Sequence, residues 1–62
     1  MDIIVFVMTT TEIIRSLRLA HARHMANFDS HAKAGNTSEA QYWLWRAGET
    51  HQKLLDLGAV AI

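Results

Sequence analysis

HAKAGNTSEA, residues 31–40, is the stretch that decides the fold. Gly35 interrupts an otherwise unbroken helix-forming run, because only glycine takes left-handed dihedrals without steric cost. Asn36 follows at once with Glu39 three residues later, a capping pattern that opens a new helix. Stop and start are separated by one or two residues. Two helices joined so tightly must run antiparallel, as a helical hairpin.

Upstream of the break, Thr9-Thr10-Thr11-Glu12 marks the first helix start. Thr9 serves as N-cap, Glu12 bonds back to the Thr9 amide, and Met8 with Ile13 completes a hydrophobic staple. Ala, Leu, Arg and Met then dominate, with no proline. The predicted helix covers residues 9–34. Downstream, the second covers 37–57 and stops at Gly58, with Glu49 and Lys53 placed to pair at i,i+4. The whole chain reads as a single domain, residues 1–62. It is framed by an apolar arm (MDIIVFVM, residues 1–8) and an apolar tail (residues 58–62), either of which could be strand-like. Met8 could equally be the true start.

The chain has 62 residues, six Lys+Arg against six Asp+Glu, and neither cysteine nor proline. A domain this small buries only about 60% of its unfolded surface. Such chains usually need a disulfide, a metal or a partner. Absence of cysteine removes disulfides and thiolate sites. Zero formal charge argues against a strongly cationic nucleic-acid binder. The apolar runs are too short to span a bilayer, and no secretory pattern opens the chain. A cytoplasmic location without membrane contact is expected.

Helical periodicity assigns the faces. Ile13, Ile14, Leu17, Ala20, His21, His24, Met25, Phe28, His31 and Ala32 share one side of the first helix. Ala40, Trp43, Leu44, Ala47, His51, Leu54 and Leu55 form the facing stripe of the second. The turn position then pairs Phe28 with Trp43 and Leu44, Met25 with Ala47, His21 with His51, and Leu17 with Leu54 and Leu55. Two helices cannot enclose a core, since each stripe is wider than one neighbour covers. A second copy would close a four-helix bundle, so a homodimer is expected, with Leu17, His21, Met25, Phe28, Trp43, Leu44, Ala47, His51 and Leu54 as core or dimer residues.

His21, His24 and His51 have a spacing that could hold Zn²⁺. Amphipathic residues in a thin core explain them more simply, so no metal and no cofactor is expected. Imidazoles buried there prefer to be neutral, and a thermal melt is expected to fall between about pH 7.5 and pH 5.5. No nucleophile stands beside a base, no carboxylate pair shares a buried face, and no phosphate loop occurs, so an enzyme is not expected. Tyr42, Trp45, Arg46 and Gln52 lie on the back of the second helix. Aromatics beside arginine on a polar face have the composition of binding hot spots. The expected function is that of a small protein-binding module, an inhibitor or adaptor of a larger protein, in the style of a phage- or plasmid-encoded factor aimed at a host protein.

Arg15, Arg18 and Arg23 supply the alternative. Their helix face, on a dimeric hairpin, resembles in outline the small helical-hairpin dimers of the Rop kind. That resemblance implies a dimeric regulator holding RNA or DNA through these arginines. Asp29 and Glu12 dilute the patch, and a solvated helix face explains it more simply.

Overall fold

The structure is a computed structural model, and it describes residues 9–59. Helix α1 spans Thr10–Lys33 and helix α2 spans Thr37–Asp56, and the two pack against each other as an antiparallel hairpin. The apolar arm, the last three residues and the Met8–Ile13 staple lie outside the described residues.

Thr9, in extended conformation, caps α1, its Oγ1 accepting from the Glu12 amide at 3.2 Å. Among the described residues the reciprocal bond, from the Thr9 amide to the Glu12 carboxylate, is not formed. At the far end the Asn36 amide donates to the His31 carbonyl at 2.9 Å and the Gly35 amide to Ala32 at 3.2 Å. With Gly35 at φ +80°, this is a Schellman stop. The same motif ends α2: Ala59 donates to the Leu54 carbonyl and Gly58 to Leu55, each at 2.9 Å, with Gly58 at φ +69°.

The expected capping box at Asn36 does not form. Asn36 makes no side-chain cap bond. Its amide instead lies 3.5 Å from His31 Nδ1, and the Glu39 carboxylate lies 3.2 Å from the same nitrogen. The Schellman turn brings His31 back over the start of α2, and a ring with a polar nitrogen there outcompetes the local cap. Glu49 likewise turns to Arg46, at 3.6 Å, rather than to Lys53.

Where the helices meet, three of the four covered residues are small. Ala40, Ala47, Thr50 and Leu54 are buried, all on α2. They fall within about 80° of arc at 100° per residue. No residue of α1 is buried. Its larger side chains, Ile13, Ile14, Leu17 and Phe28, are half-buried. Large groups on α1 cover Ala40, Ala47 and Thr50 of α2, while their own outer edges stay open because the described residues form no further layer. Leu44, at 47% exposed, Met25 at 36%, and His51 are therefore not core residues of the single hairpin. Leu44 and His51 sit about 80° and 60° round α2 from Leu54, on the flank of the contact line. Among the described residues no helix is long and apolar enough to cross a membrane.

Candidate binding surface

The outer edge of α2, turned away from α1, carries the most organised exposed group. Tyr42, Trp45 and Arg46 share it because three and four residues return a helix to nearly the same side. Arg46 Nη1 donates to Tyr42 Oη at 2.9 Å, and the guanidinium carbon stands 5.9 Å from the Tyr42 ring centroid. The Tyr42 ring meets Trp45 at 6.4 Å, tilted by 43°, and Trp43 edge-on at 5.1 Å. Arg46 is held a second time, by Glu49. Trp45 is nevertheless 61% exposed and Tyr42 46%.

Its chemistry is that of an anchor. Two aromatic planes give apolar contact area at low entropic cost, and a fixed guanidinium supplies directed donors. Gln52 is on the same edge two turns further on, but its amide donates to Asp56 Oδ1 at 3.0 Å, outside this cluster.

The three imidazoles do not converge. His21 faces His51 with ring centroids 6.1 Å apart, whereas His24 stacks on Trp43 at 5.6 Å and 28°. His24 Nδ1 is buried without a hydrogen-bond partner among the described residues. Among the described residues no group of three His, Asp or Glu is placed to hold a metal ion.

The arginines of α1 are divided too. Arg18 Nη2 donates to the Ala59 carbonyl at 3.2 Å, tying α1 to the end of α2. Arg15 lines the same cleft, with Thr11, Ile14 and Gly58. Arg23 is eight residues past Arg15, about 12 Å along the axis and about 80° round it.

Sequence periodicity did not pick out Thr50. It is buried, with its hydroxyl donating to the Arg46 carbonyl at 3.1 Å. The back-bond conceals its only polar group, a behaviour open to any threonine within a helix, so no pattern signals it.

The His21–His51 contact fixes which flanks share a side of the hairpin. Ile14, His21, Met25 and Phe28 of α1 lie with Leu44, Gly48, His51 and Leu55 of α2. The His31–Glu39 contact marks the other side, where Arg46 and Lys53 also lie. No family model, curated protein sequence or solved structure matches this chain.

Proposed function

We propose that this chain is a non-catalytic protein-binding module that engages a larger protein through Tyr42, Trp45 and Arg46 and acts on it as an inhibitor or adaptor in the cytoplasm. The observation that carries this reading is the fixing of an exposed aromatic edge. Trp45 is 61% exposed, yet Tyr42 beside it is locked by a 2.9 Å bond from Arg46. A solvated helix face needs no such order, and pre-organised aromatic and arginine groups lower the entropy lost on association. The hairpin serves as a rigid carrier, doubled in a twofold four-helix bundle that leaves this edge outside.

The test places a photo-reactive phenylalanine analogue at Tyr42 in the full chain, expressed in its own host. A discrete adduct with one heterologous protein, lost when Trp45→Ala is added while the helical circular dichroism is unchanged, is the expected result. Absence of any heterologous adduct, or an adduct indifferent to Trp45→Ala, would overturn the reading.

A further inference from the structure

We propose that the side of the hairpin bearing Met25, Phe28, Leu44 and Leu55 is covered by a second copy of the chain, with Gly48 at the closest approach between the two layers. This rests on the bundle reading above and names the face that forms it, which is separate from the Trp45 edge.

Charge selects the side. Ile14, His21, Met25, Phe28, Leu44, Gly48, His51 and Leu55 include no Lys, Arg, Asp or Glu, and Arg18, the cation beside Ile14 on this flank, already donates to the Ala59 carbonyl. The opposite side carries Arg46, Lys53 and Glu39, and burying those would be costly. The chain's formal charge is zero, so two copies meet without net repulsion.

Geometry selects a copy as the occupant. A twofold axis lying between the layers brings one side against itself. Whether that axis runs along the helices or across them, each helix then faces an antiparallel neighbour, the arrangement of four-helix bundles. Helices of 24 and 20 residues give a side roughly 30 Å long and 20 Å wide. That is about 600 Å² per copy and about 1,200 Å² in all, the size at which specific dimers become stable.

Gly48 is the independent sign. Within α2 a glycine costs about 1 kcal/mol relative to alanine. Yet among the described residues a Cβ built at Gly48 meets nothing within 4 Å, so the contact between α1 and α2 gives no reason for its presence. A helix crossing at that point does, because its backbone approaches closely only where no side chain intervenes.

The experiment is sedimentation equilibrium of the full chain over a concentration series, with three variants and thermal melts of each. The parent is expected at twice 7.0 kDa. Leu44→Glu, at a position already half in solvent, is expected to weaken association at least tenfold. Gly48→Ala is expected to weaken it too, although alanine strengthens an open helix. Trp45→Glu, on the outer edge, is expected to leave the mass unchanged. A parent that melts cooperatively as a monomer at every concentration would overturn the proposal. So would a dimer unaffected by Leu44→Glu, or a Gly48→Ala dimer that is merely more heat-stable. If Leu44→Glu prevents folding, Gly48→Ala decides alone. A monomer destabilised by Leu44→Glu would mean that the chain's own residues 3–8 cover this side, and the proposal fails. None of these outcomes bears on heterologous cross-linking at Tyr42, so the two readings fail separately.

Discussion

The imidazole of His24 stacks on the indole of Trp43, 5.6 Å away and inclined by 28°, and this stack joins α1 to α2. It leaves His24 Nδ1 buried with no hydrogen-bond partner among the described residues. An unsatisfied buried nitrogen costs about 1–3 kcal/mol, while the ring itself packs well. His24→Phe keeps the stack and removes the nitrogen. The expected outcome is a gain of about 1 kcal/mol, read as a melting temperature higher by roughly 4–8 °C. A lower melting temperature would show that the nitrogen contributes to stability.

Ala47 is the least exposed of the buried residues, at 2%, with Ala40 and Leu54 seven residues to either side. The two alanines, small and two turns apart, let the helix axes approach. Ala47→Leu would insert three extra carbons into a contact without space for them, at a cost of about 1–3 kcal/mol. Leu19→Ala, on the exposed far side of α1, provides the control and should cost little. Chemical denaturation of both variants checks the difference.

The hairpin was legible in the sequence because its signals are local. Gly35 fixes the break, Thr9 fixes the start, and the apolar period of the helices faces them toward each other. What escaped was set by competition between neighbours once the chain had turned. Asn36 and Glu39 have the form of a capping box, and nothing in their spacing says that His31 will draw both away. Glu49 had two cations in reach, and the nearer turn of helix won. The helical wheel grouped Leu44 and His51 with Ala47 because it does not resolve the centre of a stripe from its flank. A contact between two cylinders buries only the centre. Trp45 and Tyr42 were legible as exposed aromatics, but the bond that orders Tyr42 through Arg46 depends on rotamers that sequence does not encode.

His31 Nδ1 has the Asn36 amide on one side and the Glu39 carboxylate on the other. It can accept from the first or donate to the second, not both at once. The pair with Glu39 crosses the turn, so it should couple the helices and not merely extend one of them. A double-mutant cycle with His31→Ala and Glu39→Ala is expected to give a coupling of about 0.5 kcal/mol, since the pair is partly exposed. Additive single variants would show that the contact contributes nothing.

The Lys33 ammonium lies 2.8 Å from the Asp29 carboxylate, one turn back along α1. Their hydrogen bond, and then their mutual attraction, raise the Lys33 pKa above its ordinary 10.5. A raised lysine pKa means that the folded state holds its proton more tightly. Its contribution is fully present below the unfolded-state value and is lost as pH rises through the folded-state value. Both groups are solvent-exposed, so no effect on the melt is expected at neutral pH. The check is an NMR titration of the Lys33 ε-methylene, in which Asp29→Asn should return the midpoint to the free-lysine position.

Arg18 is the one arginine of α1 with a fixed partner among the described residues, and that partner is a backbone carbonyl just beyond α2. The carbonyls at this end carry the negative pole of the helix, so a guanidinium is favoured there twice, by the bond and by the dipole. The last turn of α2 depends otherwise on the Schellman bonds of Gly58 and Ala59. Arg18→Ala should therefore loosen that turn while leaving the middle of the hairpin intact. Amide exchange at Gly58 and Ala59 is expected to accelerate several-fold, with Ala47 and Thr50 unchanged. Arg15→Ala, in the same cleft but without this bond, should leave all four amides at parental rates. If both substitutions accelerate exchange equally, the general positive field of the cleft holds the turn. If neither does, the Schellman motif suffices by itself and Arg18 is available for another role.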